Sequence, residues 1–295
     1  MQLCVIIVTF NRLEQLKLAL AAYCHPSVAQ LVVVNNASND GTADYLAQYA
    51  AASDTQVDVL NLPENTGGAG GFAAGIDYAR QHSSADWLVL ADDDAYPAAD
   101  ALDRFAEHWA NQAGEAAIVA SAVYLPDGDI CKMNTPVAQA SWWGSLRNII
   151  TRRSPSAVAT QCYQQRQPLN VMAASFVGMF ISLRAVKASG LTPPAHYFLY
   201  WDDIAYCLDM GAAGYSVQFD PRIHYIHACQ RQVQQLSAER LYYLVRNGRW
   251  ALAKLPLTIR LIYTPLKLLS WLLLALRNKH YKTYISALRD SSTQP

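Results

Sequence analysis

Four short apolar runs, at residues 3–8, 31–34, 57–60 and 87–90, punctuate the first hundred positions and alternate with stretches of helical periodicity. Each run is too short for a helix and rich in Val, Leu and Ile, the composition of a strand buried on both faces. Between them, residues 13–23, 42–51 and 71–82 repeat apolar side chains at helical spacing, and Asn39-Asp40-Gly41-Thr42 supplies a turn with capping groups. Strand, helix, strand at this rhythm predicts βαβ units and an α/β fold with a mostly parallel central sheet flanked by helices. Ligands of such sheets sit beyond the carboxyl ends of the strands. Polar residues should therefore gather just after each apolar run, and they do.

A helix over about 97–111 and a strand over about 116–123 continue the pattern, which fades between about 125 and 170. That stretch, with Trp142-Trp143 and Arg152-Arg153, reads as a long irregular insertion. Regular patterning resumes with a strand at 176–183, a helix at 202–210, strands near 215–219 and 223–226, and helices from Ser237 onward. With 52% apolar and 16% charged residues in 295 positions, the chain has ample material for a core, which excludes a disordered chain or a solvated coiled coil. Six cysteines lie far apart without a C-x-x-C pair, which argues against a disulfide framework or zinc ribbon and fits a reducing cytosol. The first residues lack a basic segment and read as a strand, not as a signal peptide.

Basic and acidic residues balance at 23 each, but their distribution is uneven. Residues 240–295 hold ten Lys or Arg and one acid, against thirteen and twenty-two before them. Residues 257–276 look at first like a membrane span. They contain Arg260, Pro265 and Lys267, and the longest charge-free run is nine residues, where a span needs about 20. The expectation is one or two basic amphipathic helices lying on an anionic membrane surface; an ordinary helix pair packed on the body is the alternative.

Three constellations carry chemistry. Asp92-Asp93-Asp94 directly follows the fourth apolar run; three adjacent carboxylates repel, and a divalent cation with oxygen ligands is an economical counter-charge. Alternation puts Asp92 and Asp94 on one side of an extended segment. An acidic helix start before Pro97 would read the same way. Trp201-Asp202-Asp203 follows an aromatic stretch and opens a helix; the acids suit caps, or a partly desolvated general base. His224 and His227 follow a strand, and imidazole binds Mn²⁺ beside carboxylates, although single histidines are often structural. Third, Asn65-Thr66-Gly67-Gly68-Ala69-Gly70-Gly71-Phe72 would let backbone approach a ligand closely at a helix N-terminus, but it has no P-loop ending. Thr9-Phe10-Asn11-Arg12 and the loop from Asn35 to Thr42 suit either base and ribose recognition or simple turning.

In order, V-I-I-V-T-F-N-R, V-V-N-N-A-S-N-D-G-T, N-T-G-G-A-G-G-F, D-D-D, W-D-D and a histidine resemble the family 2 inverting glycosyltransferases of the GT-A fold over roughly residues 3–250. The forms N-T-G-G-A-G-G-F, L-A-D-D-D and F-L-Y-W-D-D-I-A-Y are most similar to bacterial galactofuranosyltransferases, then to rhamnosyltransferases. The resemblance implies a catalytic domain over 1–236, with a nucleotide-binding half (1–123) and an acceptor half (124–236), and a basic helical region over 237–295. It implies that Thr9, Asn11, Arg12, Asn36, Asp40, Asn65, Gly67, Gly68, Gly70, Gly71, Asp92, Asp93 and Trp201 line the donor. Asp92, Asp94 and His227 would hold Mn²⁺ or Mg²⁺, with His224 the nearby rival. Asp203, beside Asp202, would be the catalytic base. Asn36 stands where many members have Asp, and Ala205 where they carry a further acid. Trp142, Trp143 and Trp201 offer faces for sugar rings. The implied activity is transfer of galactofuranose from UDP-galactofuranose, or of rhamnose from dTDP-rhamnose, to a lipid-linked oligosaccharide in O-antigen or capsule synthesis. It implies a cytoplasmic enzyme on the inner membrane face with no nucleic-acid partner. A non-catalytic nucleotide-sugar-binding protein would share the acid cluster and the sheet but have no use for Asp203.

Overall fold

The computed structural model describes residues 1–110, 116–139, 157–229 and 236–290; Trp142, Trp143, Arg152 and Arg153 lie outside them. The first part of the chain runs β1 (Leu3–Thr9), α1 (Leu13–Ala22), β2 (Val28–Asn35), α2 (Thr42–Ala52), β3 (Gln56–Asn61), α3 (Gly67–His82) and β4 (Trp87–Asp92). There follow β5 (Ala95–Pro97), α4 (Ala101–Trp109), β6 (Ile118–Tyr124), β7 (Val137–Ala138), β8 (Leu169–Ala173), β9 (Met179–Ser182) and α5 (Leu183–Ser189). Next come α6 (Asp202–Ala212), β10 (Val217–His227), α7 (Ala238–Ala253), α8 (Leu257–Arg277) and α9 (Tyr281–Arg289).

One ten-stranded sheet runs β3-β2-β1-β4-β9-β6-β10-β8-β7, with β5 added on β10. The pairs β3-β2, β2-β1, β1-β4 and β6-β10 are parallel, whereas β9 lies antiparallel between β4 and β6. Period-two alternation explains why β1 is apolar throughout. Cys4, Ile6 and Val8 face the cluster that receives Phe72, Ile76 and Ala79 of α3. Leu3, Val5 and Ile7 face the opposite one, with Leu16 and Leu20 of α1 and Phe105 and Trp109 of α4. Each large apolar side chain contributes roughly 1.5–3 kcal/mol by leaving water. Chain order reverses between β2 and β4 around β1, so a crevice opens beyond the carboxyl ends of β1 and β4.

Several elements differ from the sequence expectation, three of them for a plain local reason. Helix α3 begins at Gly67, not near Gly71, because its glycines serve packing. A Cβ at Gly71 would stand 2.5 Å from Val8 Cγ1, and one at Gly75 2.4 Å from Ile6 Cγ2, so α3 lies unusually close to β1. Helix α4 starts at Ala101 because Ala95–Pro97 is a strand paired with β10. The two strands expected between 215 and 226 are one, β10, with a register shift between Asp220 and His224. There the buried Asp220 accepts hydrogen bonds from Trp109 Nε1 (2.9 Å) and from the Arg222 guanidinium. Helix α8, 21 residues long and running through Pro265, falls within the one or two helices expected.

Helices α7–α9 share a core of their own around Leu241, Val245, Tyr263, Trp271 and Tyr284. Among the described residues α8 alone is long and apolar enough to cross a membrane, so the charges at 260 and 267 do not shorten it as expected. Its inner face is packed: Tyr263, Trp271 and Ala275 are buried.

Candidate active site

The acid triplet sits where the sheet crossover predicts. Asp92 ends β4; Asp93 and Asp94 form the turn into β5. Antiparallel pairing sets Ala95 opposite His227, and the amide of Ala228 donates to the carbonyl of Asp94 at 2.8 Å. Backbone ladders thereby deliver an imidazole 133 positions away in sequence to the acids. Its Nε2 lies 3.2 Å from Asp94 Oδ1. The ligand atoms of Asp92, Asp94 and His227 all fall within 4.8 Å of one another. His224, the rival, points elsewhere: its Nε2 meets the carbonyl of Pro221 at 3.1 Å and its ring packs on Tyr124.

Asp93 has a different task. It accepts from Thr9 Oγ1 at 2.8 Å and from Arg12 Nη1 at 3.2 Å, and the same guanidinium reaches Asp94 Oδ2 at 2.8 Å. Arg12 remains half exposed, free on its other side to meet an anion. Burial, with the charge of Asp94, pushes the Asp92 carboxyl up to about 6, and burial pushes Asp93 up to about 7 against the pull of Arg12. For Asp94 burial is outweighed by His227 and Arg12, and its carboxyl is held below the usual range. Burial would lower His227, but Asp94 beside it raises it to about 10.

His227 is oriented from behind. Its Nδ1 lies 2.8 Å from Oδ1 of the buried Asn134, whose Nδ2 donates to Ser175 Oγ at 2.9 Å and so fixes the amide. With Nδ1–H donating to Asn134, Nε2 is the nitrogen presented to the acids. These groups fit a hard divalent cation. Two carboxylates and one imidazole are the donors Mn²⁺ and Mg²⁺ accept. Asp94 Oδ1 is buried and, although His227 Nε2 stands 3.2 Å away, it accepts no well-formed hydrogen bond, so the two ligand atoms lie side by side where a cation could bind both. Cys131 and Cys229 form a second grouping around the same imidazole, but Cys131 Sγ donates to Asn134 Oδ1 at 3.0 Å and belongs to the supporting layer.

The remaining loop residues mostly hold one another. Asn11 Oδ1 accepts from the Asn39 amide at 2.8 Å, and Asp40 accepts from the amides of Leu13 and Thr42. Asn36, 2% exposed, accepts from Thr66 and donates to the Gly67 carbonyl at 2.9 Å, while Asn65 Oδ1 accepts from the Gly67 amide. Gly67 has φ +70° and leaves no room for a Cβ, which would stand 2.0 Å from the carbonyl oxygen of Phe198. Gly70 packs under Thr66 and Gly71 over Val8; Gly68 alone in this segment opens onto free space.

Asp202 and Asp203 open α6 on the far side of the crevice. They follow a strained aromatic turn in which Phe198, Tyr200 and Trp201 all have positive φ, at 63°, 66° and 70°. Asn247 of α7, fully buried, holds that turn: its Nδ2 lies 2.8, 2.7 and 3.1 Å from the carbonyls of Tyr197, Leu199 and Tyr200. The Phe198 carbonyl in turn receives the Ala69 amide at 3.3 Å, which ties the turn to α3. Asp203 lines a cleft of about 310 Å³, while Asp202 is buried behind it. Burial drives Asp202 well above the ordinary carboxylate range, with Asp203 adding to it, and burial pushes Asp203 up to about 6. The charge of Asp203 is felt at Asp92, and that of Asp92 at Asp202. Asp203 therefore lies near enough to the acid triplet for its charge to bear on Asp92.

Asn134 and Asn247 escape a sequence reading. Asn134 lies in the stretch without periodicity, 93 residues from its histidine. Asn247 belongs to Tyr242-Tyr243-Leu244-Val245-Arg246-Asn247, a segment that also recurs in the resembled family and suits helix packing; an uncharged amide at a core-facing helical position was its only signal.

No curated protein sequence matches the chain significantly. Three solved structures share its fold. A mannosyltransferase from Pyrobaculum calidifontis, in complex with GDP-Man and Mn²⁺, is 17% identical with a TM-score of 0.59, covering 100% of this chain and 76% of its own. GalNAc-T7 with UDP, GalNAc and Mn²⁺ is 14% identical with the same TM-score, over 84% of this chain; the chain spans about half (48%) of that protein's length. S. aureus TarS, residues 1–349, is 14% identical with a TM-score of 0.52, over 99% and 73% of the two chains. The fold is GT-A. The family model described as glycosyl transferase family 2 matches residues 4–172, more than half of the sequence, and the chain belongs to that family.

Proposed function

We propose that the chain is a metal-dependent inverting glycosyltransferase that moves galactofuranose from UDP-galactofuranose to a lipid-linked glycan of a bacterial surface polysaccharide. The observation that carries the reading is the grouping of Asp92, Asp94 and His227 at the end of β4 and β10, with Asp203 near enough for its charge to bear on Asp92. Two structural neighbours bound to a nucleotide or nucleotide sugar with Mn²⁺ support the donor class and the cation. The galactofuranose assignment rests on the sequence forms around 65–72, 90–94 and 198–206.

Asp92, Asp94 and His227 would hold Mn²⁺ or Mg²⁺, which when bound supplies positive charge for the departing diphosphate. Arg12, half exposed above Asp93 and Asp94, would meet the same diphosphate. Asp203, raised to about 6 by burial, is ionised at neutral pH yet basic enough to take a proton. It would accept the acceptor hydroxyl proton while that oxygen bonds to the anomeric carbon. The bond from that carbon to the diphosphate oxygen breaks on the opposite face, so one displacement inverts the centre. The basic helical region at 237–295 would lie on the cytoplasmic face of an anionic membrane, with the exposed Leu261, Leu269 and Leu273 of α8 toward lipid.

The decisive measurement is hydrolysis of UDP-galactofuranose, UDP-galactopyranose and dTDP-rhamnose with and without Mn²⁺. Metal-dependent release of UDP from the first is expected. Turnover of dTDP-rhamnose alone would reassign the donor, and turnover of none would remove the enzyme reading.

A further inference from the structure

Asp203 also lines an apolar cleft on the side of α7 and α8. One wall belongs to the catalytic body, with Val137 and Ala173 of β7 and β8 and Ile204 of α6; the other belongs to α7 and α8, with Leu244, Ile259 and Tyr263. Its volume of about 310 Å³ is at the lower end for ligand pockets. Two charged side chains line it, Asp203 at the reacting end and Lys267 of α8.

Lys267 is in an unusual place. Positions 259, 263, 267 and 271 form one i, i+4 row of α8, and Tyr263 and Trp271 in that row are buried. The opposite side carries Leu257, Leu261, Leu269, Leu273 and Leu276, each more than half exposed. Leucines point out on one side of the helix, while on the other Lys267 stands in a row of packed apolar side chains. Among the described residues Lys267 has no ion pair and no hydrogen bond; its Nζ stands 5.9 Å over the Trp201 ring. Burial alone acts on it and lowers its ammonium from the usual value. A desolvated cation without an anion is costly, and an anion of the ligand would relieve that cost. The same helix thus carries exposed leucines on one side and a cation turned into the cleft on the other.

We propose that this cleft seats a lipid phosphate, with the apolar chain along the α7–α8 wall and the phosphate on Lys267, so that the carried glycan reaches Asp203. The proposal rests on Asp203 being the base of the transfer, and it makes Lys267 the residue that selects phosphate-bearing acceptors over neutral ones.

The test uses dodecyl phosphate below its micellar concentration, with dodecyl maltoside and inorganic phosphate as comparison probes, read by tryptophan fluorescence and calorimetry on the full chain. Wild-type protein should bind dodecyl phosphate at least about tenfold more tightly than either comparison probe. Lys267→Met should remove that advantage, and Lys267→Arg should keep most of it. Methionine retains the stem over Trp201 and removes a buried charge, so the variant should melt no lower than wild type. Equal affinity of dodecyl phosphate for Lys267→Met and wild type would overturn the proposal, as would equal binding of the maltoside. Inorganic phosphate binding as tightly would replace it with a free-anion site. UDP binding with Mn²⁺, measured in parallel, separates the two levels: its loss in wild type would strike the nucleotide-sugar reading, whatever the lipid probes show.

Discussion

Asn134 touches neither the proposed donor nor the acceptor, yet its removal should weaken the cation site. In the structure its Oδ1, 2.8 Å from His227 Nδ1, decides which imidazole nitrogen faces Asp92 and Asp94, and Ser175 keeps the amide from turning over. Asn134→Ala leaves Nδ1–H without an acceptor in a buried place, a loss of about 1–3 kcal/mol. Part of that cost can be evaded if the ring rotates or the proton moves to Nε2, and either escape spoils the ligand geometry. Removing such supporting groups elsewhere lowers metal affinity by about 10–100-fold, or roughly 1.4–2.8 kcal/mol, the same range reached independently from the hydrogen bond. Mn²⁺ titration followed by electron paramagnetic resonance gives the affinity directly, with thermal melting to show that the variant is folded. Asn134→Asp, which restores an acceptor, should recover much of the binding. An Asn134→Ala protein that is folded and binds Mn²⁺ as tightly as wild type would refute the argument, because His227 would then need no support or not be a ligand.

The proton-accepting role of Asp203 has a pH signature. A base raised to about 6 must lose its proton to act, so kcat/KM measured under saturating Mn²⁺ should rise with pH through about 6 and level off above it. Asp203→Asn should cost about 10²–10⁴ in kcat and leave the UDP dissociation constant near wild type. The same substitution should raise the melting temperature above pH 6: a carboxyl harder to ionise folded than unfolded destabilises the fold as pH rises from about 4 to 6, and the amide removes that dependence. A kcat/KM flat across this range would count against Asp203. Asn247→Ala frees three carbonyls that share two N–H donors, so the turn at 197–201 should relax from its positive-φ residues. Transfer should then fall far more than UDP binding, and proteolysis near 198–201 should quicken; equal loss of both would mean general unfolding.

Much of this fold could be read before any coordinates. Buried strands of a parallel sheet are short, apolar and β-branched, and the crossover rule puts function at their carboxyl ends, so Thr9, Arg12 and Asp92–Asp94 were visible as a group. What remained hidden is long-range. Asp92 and Asp94 share a side as alternation implies, but the triplet itself does not reveal that His227 faces those two while Asp93 carries Thr9 and Arg12. The glycine segment reads as a ligand cradle in sequence; in space Gly67 admits the Phe198 carbonyl and Gly71 admits Val8. A glycine required by a neighbouring backbone and one required by a ligand look identical in one dimension. Lys267 was counted as one charge of a basic tail, since only the packing of α8 tells which way a given residue of that helix points.

The composition break near residue 236 invites division of the chain into a catalytic body and a membrane-seeking appendage, yet the site does not divide there. Asn247 lies beyond the break and holds the turn that presents Asp203. Trp271 of α8 packs edge-on against Trp201, the residue before the two acids, at 6.0 Å between ring centres. A Cβ at Gly248 would meet both rings, at 2.4 Å from Trp271 and 3.0 Å from Trp201 Nε1, so α7, α8 and the aromatic turn interlock without slack. Force applied to α8 from outside therefore has a short packed path to the proposed base Asp203, whereas of the proposed cation ligands Asp92 and His227 end β4 and β10 and are anchored in the sheet. It follows that lipid contact should act on acceptor positioning and proton removal and leave donor and cation binding largely alone. The two halves of the crevice are held by different parts of the molecule, and only one of those parts faces the exposed leucines.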